Sequence, residues 1–274
     1  MKPLKNPRFL VCRKSKRFPS ISIIIPAYNE EQRIGRTLED YAKFFQKKYK
    51  KNFELIAVLN GCTDNTLEIV KKYKKIFPQI KYLNFKESGK GFAIIEGFKS
   101  AKGDLIGFTD ADDATSAESF NNLIEHMGDY DGIIANRWSK YSIIRPKQPL
   151  SRRIASRAFN LFVRFLFGIK NQDTQCGAKL FRKGAIKEIL PKIGITEWAF
   201  DIDLLYQLKK RGYTVKDIPT VWSDKGHSKL NVAKTSLQMF LAIIRLKLIN
   251  SPLNFITKTY DLLPENIKIH HQLK

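Results

Sequence analysis

This chain of 274 residues has few cysteines, no long apolar run and relatively few acidic residues. Its three cysteines, Cys12, Cys62 and Cys176, lie far apart, which argues against a disulfide framework or a cysteine metal site and is typical of a reducing compartment. No stretch reaches the roughly 18 uncharged apolar residues of a membrane-spanning helix. Residues 1–19 are basic but contain no apolar segment of the secretory kind. We therefore expect a cytosolic protein that does not span a membrane.

Acidic residues are outnumbered: 49 lysines and arginines stand against 26 aspartates and glutamates, which gives a net charge of +23. Such a surplus favours an anionic partner, namely nucleic acid, lipid headgroups or phosphorylated substrates, although scattered lysines also serve solubility alone. Zinc spacings and the aromatic-basic motifs of RNA-binding proteins are absent, so we expect no nucleic-acid partner. Hydrophobic residues make up 43% of the chain, which is enough for a sizeable core.

Short apolar runs alternate with amphipathic segments through the first half of the chain. The run Ile21–Pro26 predicts a strand that is buried on both faces and ends at the proline. Further strands are predicted at 53–59, 80–85, 105–110 and 131–136, and helices at 31–50, 64–77, from 89–91 onward and after the capping box 115–118. This alternation predicts βαβ units and hence an α/β fold with a mostly parallel sheet.

The same patterns predict how the chain is divided. A basic arm at 1–20 precedes one domain at 21–230, made of a nucleotide-binding half at 21–136 and a second half at 137–230. The second half contains an amphipathic helix at 152–170, and a further amphipathic helix and a tail occupy 231–274. Apolar residues of both helices are interleaved with arginines and lysines, so we expect them to lie in a membrane interface. Ordinary packing against the sheet is the alternative.

Asp110 and Asp112 lie one residue apart at the end of the predicted strand 105–110. Residues two apart in an extended chain project to the same side, so both carboxylates should face one point beyond the carboxyl edge of the sheet. Open α/β sheets bind their ligands at that edge. Two such carboxylates suit Mg²⁺ or Mn²⁺, which completes its shell with water and substrate phosphates. An acidic pair alone is weak evidence for a metal site, and the segments before and after it determine how far it supports one.

Polar turns follow the first two predicted strands. Pro26, Tyr28 and Glu30 lie in the first turn, and Asn60 and Asp64 lie in the second. Because the carboxyl ends of parallel strands meet at one edge, these residues can reach the base and ribose of a nucleotide. Polar caps at helix N-termini are the alternative for each turn.

The order of these segments resembles the family-two nucleotide-sugar glycosyltransferases. The segments that carry the resemblance are IIIPAYNEE, LNGCTDNT, SGKG and FTDADD. In the second half, DTQCGAKLF, EWAFDIDLLY and GHSKL resemble the dolichyl-phosphate β-glucosyltransferases and, more loosely, the dolichyl-phosphate mannose synthases. The resemblance extends over about residues 20–248 and implies a single Rossmann-like domain of the GT-A type, whose second half binds the acceptor.

The resemblance also implies roles for individual residues. Asp110 and Asp112 would hold Mg²⁺ or Mn²⁺ together with the diphosphate, and Asp112 would be a catalytic residue. Arg137 would face the phosphates. Asp201 would orient the sugar or act as a base, although a carboxylate at a helix N-terminus is equally expected there. The residues that would bind the nucleotide sugar are Pro26, Tyr28, Glu30, Asn60, Asp64, Lys90, Asp110 and Lys229, with Asn60 standing where many relatives have an acidic residue.

The implied reaction is the inverting transfer of a hexose from a nucleotide-diphosphate sugar to polyprenyl or dolichyl phosphate. UDP-glucose is the first choice of donor and GDP-mannose the second. The protein would lie peripherally on the cytosolic face of a membrane and serve protein glycosylation or surface glycan assembly. The alternatives are a dolichyl-phosphate mannose synthase, a transferase that acts on a sugar hydroxyl in polysaccharide synthesis, and an inactive scaffold. The intact acidic pair argues against the last of these.

Overall fold

A seven-stranded sheet forms the centre of the protein, and its strands come from both halves of the sequence. The computed structural model describes residues 19–146, 150–194, 199–223, 232–252 and 255. Most of the predicted arm at 1–20, the GHSKL segment with Lys229, Trp198 and most of the tail lie outside the described residues.

The order of the strands across the sheet is not their order in the chain. The strands are β1 (Ile21–Ala27), β2 (Phe53–Asn60), β3 (Ile80–Phe85), β4 (Leu105–Phe108), β5 (Gly132–Asn136), β6 (Ile143–Arg145), β7 (Lys179–Arg182), β8 (Val215–Pro219) and β9 (Val221–Ser223). The central sheet has the order β3-β2-β1-β4-β7-β5-β8, and β6 pairs with β9 in a small second sheet. Only β7 runs antiparallel to its neighbours in the central sheet. The predicted α/β fold with a mostly parallel sheet is confirmed.

Helices cover both faces of the sheet. They are α1 (Ile34–Tyr49), α2 (Thr66–Ile76), α3 (Lys90–Ser100), α4 (Ala117–Glu125), α5 (Leu150–Phe167), α6 (Lys183–Ile189), α7 (Phe200–Lys210) and α8 (Val232–Ile249). Successive residues of a strand point to opposite faces, and β1 shows this directly. Ile23 and Ile25 pack with α1, α2 and α4, whereas Ile24 packs with α3 and α5 to α8.

Two strand ends differ from the sequence predictions. β1 continues through Pro26 to Ala27. A proline is tolerated there because β4 pairs with β1 only as far as Ile24, so one side of β1 beyond that point has no ladder of hydrogen bonds. β4 ends at Phe108, and Asp110 and Asp112 therefore lie in the following turn and not in an extended strand.

Helix ends were also predicted only approximately. α4 is capped by Ser116, whose hydroxyl accepts a hydrogen bond from the Ser119 N–H, and not by Thr115. α5 begins at Leu150 and ends at Phe167, where 152–170 was predicted. In the described part of the chain, no helix is both long enough and apolar enough to cross a membrane.

Candidate active site

The turns that follow β1 and β2 are tied together at the carboxyl edge of the sheet. Asn29 Oδ1 accepts a hydrogen bond from the Thr63 N–H (2.8 Å), and Thr66 Oγ1 accepts one from the Glu30 N–H (2.8 Å). Tyr28 is 55% exposed, which leaves its ring accessible to a ligand. Pro26, by contrast, is buried within β1, so of the two it is Tyr28 that can offer a ring to a nucleotide.

Asn60 is buried and binds the protein's own backbone. In the orientation that satisfies both ends of its amide, the nitrogen donates to the Ala27 carbonyl (2.7 Å) and the oxygen accepts from the Gly89 N–H (3.0 Å). The side chain thereby joins β1, β2 and the start of α3. The nucleotide contact predicted for Asn60 stays a prediction, and the structure adds a local role for its amide.

Asp64 caps the segment that leads into α2. Its Oδ1 accepts hydrogen bonds from the N–H (3.0 Å) and the hydroxyl (2.6 Å) of Thr66, and its Oδ2 accepts one from the Glu31 N–H (3.1 Å). Burial acts to raise the pKa of Asp64, but these hydrogen bonds hold it below its usual value. The local capping role, which the sequence left open, is the one that the geometry supports.

The acidic pair lies beside Lys90, the first residue of α3. Lys90 Nζ donates to Asp110 Oδ1 in a close ion pair whose two side chains are 46% and 36% exposed. Burial acts to raise the pKa of Asp110, but Lys90 holds it below its usual value. Asp112 differs, because burial and then the negative charge of Asp110 raise its pKa. The two carboxylates therefore act on each other, as expected of a pair that can share one cation.

A segment of the second half packs directly on this pair. A Cβ atom at position 177 would lie 1.9 Å from Asp110 Oδ2, so the carboxylate needs a glycine there. The neighbouring thiol is not a reactive group, because burial raises the pKa of Cys176 to about 11. Gly177 precedes β7, and the insertion of β7 beside β4 is what brings the DTQCGAKLF segment to the acidic pair.

Glu30 also faces the acidic pair but is already paired. Its carboxylate accepts hydrogen bonds from Nε and Nη2 of Arg33, both at 2.7 Å. Burial raises the pKa of Glu30, Arg33 opposes this, and the negative charges of Asp112 and Asp110 add to the rise. Glu30 therefore adds negative charge to the crevice, by which we mean the space at the carboxyl edge of the sheet beside Asp110 and Asp112. Arg33 holds the Glu30 side chain in position.

Arg137, at the end of β5, is fixed from several sides. Asp173 accepts hydrogen bonds from its Nε (2.7 Å) and Nη2 (2.9 Å). The guanidinium lies 5.5 Å from the ring centroids of both Trp138 and Trp222. Burial acts to lower the pKa of Arg137, but Asp173 and, more weakly, Asp110 raise it above its usual range. Arg137 is thus a permanent, rigidly held positive charge at the end of β5.

A cationic cavity of about 390 Å³ opens beside Arg137. Two of its positive groups lie over the Trp138 indole, the Arg137 guanidinium at 5.5 Å and the Arg157 guanidinium at 5.6 Å from the ring centroid. The lining residues are Arg137, Trp138, Ser139, Lys140, Ser142, Ile144, Arg153 and Arg157. Four cations and two hydroxyls suit an anion with several oxygen acceptors, and α5 supplies two of the arginines.

Asp201 forms a buried ion pair that the sequence analysis did not anticipate. Lys179 Nζ donates to Asp201 Oδ1 (2.5 Å) and to the Cys176 carbonyl (2.5 Å). Lys179 is completely buried and Asp201 is 7% exposed in the first turn of α7. The available signal was a lysine inside the apolar run that forms β7, since an unpaired ammonium is not stable in such a place.

Comparison with known proteins identifies the family. The model of glycosyl transferase family 2 matches residues 22–190. The chain belongs to this family. A dolichyl-phosphate beta-glucosyltransferase of Dictyostelium discoideum is 32% identical over 83% of this chain and 73% of the relative. The enzyme of the same name from Saccharomyces cerevisiae is 32% identical over 82% of this chain and 74% of its own length. The predictions of the family and of glycosyl transfer are confirmed.

Solved structures show that this glycosyltransferase shares its fold with enzymes of low sequence identity. Glucosyl-3-phosphoglycerate synthase from Mycobacterium tuberculosis, in complex with Mn²⁺ and UDP, aligns over 84% of this chain and 79% of its own with a TM-score of 0.64 at 16% identity. A mannosyltransferase from Pyrobaculum calidifontis, in complex with GDP-Man and Mn²⁺, aligns over 94% and 74% with a TM-score of 0.59 at 16% identity. The predicted GT-A type of fold is thereby confirmed.

Two carboxylates of this glycosyltransferase, Asp110 and Asp112, are the side chains that could bind a divalent metal. No cluster of three or more histidine, cysteine, aspartate or glutamate side chains forms a metal cage in the described ranges. Mg²⁺ and Mn²⁺ do not need one, because they are commonly held by one or two carboxylates together with substrate phosphates. Asp110 and Asp112 supply that number of carboxylates, at the edge where a diphosphate would lie.

Proposed function

We propose that this glycosyltransferase transfers glucose, with inversion, from UDP-glucose to dolichyl or polyprenyl phosphate at the cytosolic face of a membrane, with Mg²⁺ or Mn²⁺. One observation carries the proposal. Arg137 lines the cationic cavity, and its partner Asp173 belongs to the same segment as Gly177, which packs on Asp110, so a diphosphate at the acidic pair and a second phosphate in the cavity would lie close to each other. The named relatives that use dolichyl phosphate as acceptor support the choice of acceptor.

On the donor side, Asp110 and Asp112 would hold the metal, which offsets the negative charge that develops on the leaving diphosphate. Lys90 is placed to exchange Asp110 for a phosphate oxygen, because the two side chains already meet in the crevice. Tyr28 is exposed at the first turn and is a candidate for stacking on the base. Lys229, which lies outside the described residues, remains a predicted phosphate contact.

On the acceptor side, the cavity would take the lipid phosphate. A phosphate monoester is already an anion near neutral pH, so its oxygen can attack the anomeric carbon with little help from a general base. The chain's task is then to bind and orient that anion. Arg153, Arg157 and Lys140 line the cavity for this purpose, and Arg137 is held rigid by Asp173 between the two phosphates.

The outer surface of α5 supports a membrane location. Phe165 is 88% exposed, and it belongs to a stripe at helical spacing that also contains Ile154, Ala158 and Leu161. Phe162 continues this surface onto α8 by stacking on Phe240 at 5.7 Å. Because Arg157 lies on the same helix and lines the cavity, a lipid whose phosphate enters the cavity could keep its chain in the bilayer.

The decisive experiment is an assay of product formation on vesicles that contain dolichyl phosphate. Labelled UDP-glucose and GDP-mannose are offered separately, with Mg²⁺, with Mn²⁺ and with EDTA. We expect a chloroform-soluble glucosyl product that is lost with EDTA and with Asp112→Asn, but not with Asp40→Asn on the exposed face of α1. A mannosyl product would change the donor. Free UDP without any lipid-linked product would point to a hydroxyl acceptor.

The acceptor cavity is tested by kinetics. We expect Arg153→Gln and Arg157→Gln to raise the KM for dolichyl phosphate at least tenfold while the KM for UDP-glucose changes less than twofold, because each arginine supplies a charge-assisted hydrogen bond. Arg36→Gln, on the exposed face of α1, is the matched control. If the arginine variants raised the KM for UDP-glucose instead, the cavity would belong to the donor.

A further inference from the structure

Lys179 is buried where no substrate can reach it. It lies on β7, opposite Phe108 of β4 and Ile134 of β5, and its side chain has no exposed surface. The ammonium is 5.3 Å from the Phe108 ring centroid and donates to Asp201 and to the Cys176 carbonyl. A buried ion pair is a poor way to gain stability, since apolar residues of similar volume often serve as well or better. Its presence therefore calls for another reason.

The two groups that accept hydrogen bonds from Lys179 both lie close to the acidic pair. Asp201 and the Cys176 carbonyl accept hydrogen bonds from the same ammonium, each at 2.5 Å, so the Asp201 carboxylate lies beside the segment that packs on the acidic pair. Cys176 immediately precedes Gly177, whose backbone lies against the Asp110 carboxylate. One ammonium thus holds the carboxylate of Asp201 on one side and the segment that supports Asp110 on the other.

We propose that Lys179 is a positioning residue for the transfer reaction, which acts by holding the Asp201 carboxylate at the reaction centre and the Cys176–Gly177 segment beneath Asp110. This inference rests on the proposed function. In this proposal Asp201 would accept a hydrogen bond from the bound sugar, and Lys179 would act only through Asp201 and through the backbone. The competing explanation is that the pair merely stabilises the packing of α7 on the sheet.

Three variants separate these explanations. Lys179→Met keeps the volume and removes the charge, Asp201→Asn keeps the shape of the carboxylate and removes its charge, and the double variant removes both charges together. Each single variant leaves one buried charge without its partner, so each should unfold at lower urea concentration than the wild type. The double variant leaves no unpaired charge and should recover most of that loss.

Activity should not recover with stability. We expect kcat per folded molecule to fall about a hundredfold in each single variant and to stay that low in the double variant, since residues that act as one unit are not additive. The KM for UDP-glucose should change less than threefold. A purely structural pair predicts the opposite, namely that the double variant regains kcat along with stability. That result would overturn the inference.

The control is Glu54→Gln, which breaks the ion pair of the buried Glu54 carboxylate with the partly exposed Lys81 at the amino edge of the sheet, away from the crevice. It should lower stability and leave kcat unchanged. All variants are compared in two readouts, glucosylated lipid and UDP released to water. A wild type that releases UDP without glucosylating lipid would overturn the proposed acceptor and still test Lys179 through UDP release. A wild type inactive in both readouts would overturn both proposals.

Discussion

Asp173 holds Arg137 with both of its carboxylate oxygens. Oδ2 accepts from the backbone N–H (2.9 Å) and from Nε (2.7 Å) of Arg137, and Oδ1 accepts from Nη2 (2.9 Å). Asp173 is completely buried, and it fixes the arginine in the wall of the cationic cavity. The DTQCGAKLF segment therefore contributes to the site indirectly, by holding the arginine that lines the cationic cavity.

We expect Asp173→Asn to impair both stability and activity. Loss of the carboxylate leaves a buried guanidinium without its counter-charge, which costs about 3 kcal/mol in the free energy of unfolding. Because Arg137 is then free to turn away, kcat should fall more than tenfold in the folded fraction. Urea unfolding and the vesicle assay measure the two effects. Asp40→Asn on α1 is the control, and a variant as stable as the wild type would contradict the role given to this pair.

Lys90 and a divalent cation should compete for Asp110. The ion pair is partly exposed, so its strength is about 1 kcal/mol. We therefore expect Lys90→Met to bind Mn²⁺ about fivefold more tightly in the absence of nucleotide, as measured by the loss of the free Mn²⁺ signal in electron paramagnetic resonance. The same variant should bind UDP-glucose more weakly, because a cation that faces the diphosphate is gone. Lys86→Met, at an exposed position near the same edge, is the control and should change neither Mn²⁺ binding nor UDP-glucose binding. Weaker Mn²⁺ binding by Lys90→Met would show that Lys90 and the cation do not compete.

The sequence was informative where structure follows from local pattern. The apolar run at 53–59 and the segment 80–85 became β2 and β3 with little change, and Gly89 does precede α3. The position of β7 between β4 and β5 depends on contacts between residues far apart in the chain, which no local pattern encodes. The Arg137–Asp173 and Lys179–Asp201 pairs depend on that strand, and so they were not foreseen.

The same limit explains why the local contacts of two turn residues could not be predicted. Asn60 and Asp64 are polar residues in a turn, and their type is compatible both with a nucleotide contact and with a helix cap. The hydrogen bonds to Ala27, Gly89 and Thr66 appear only in the structure, and the nucleotide contacts stay predictions. For Asp110 and Asp112, by contrast, the motif itself placed both at the carboxyl edge, although they lie in a turn and not in the strand.

The apolar stripe on α5 predicts a measurable membrane affinity. We expect Leu161→Gln together with Phe165→Gln to reduce binding to vesicles of anionic phospholipid at least tenfold, because burial of each side chain in the interface contributes about 1.5–3 kcal/mol. Both side chains are exposed, so the free energy of unfolding should be unchanged. Ile76→Gln, at an exposed apolar residue at the end of α2, is the control. Equal loss of binding in the control would mean that no particular face docks on the lipid.

Stability should depend on pH through Glu54, far from the crevice. Its carboxylate accepts hydrogen bonds from Ser22 Oγ (2.6 Å), the Lys102 N–H (2.7 Å) and Lys81 Nζ (2.5 Å). Burial acts to raise the pKa of Glu54, but these bonds hold it below its usual value of 4.5. A carboxylate with a lower pKa in the folded chain contributes stability that is complete above the unfolded pKa and is lost as the pH falls through the folded pKa.

Glu54→Gln removes that contribution at every pH. We expect the variant to be about 1–3 kcal/mol less stable at neutral pH, because three donors lose a charged acceptor. Below pH 4.5 the free energy of unfolding of the variant should fall less steeply than that of the wild type, so the two curves should converge in acid. Urea unfolding between pH 7 and the acid range measures this, with Glu68→Gln in an exposed ion pair as control. Parallel curves would show that Glu54 titrates alike in the folded and unfolded chain, and the hydrogen bonds would then contribute nothing that depends on its charge.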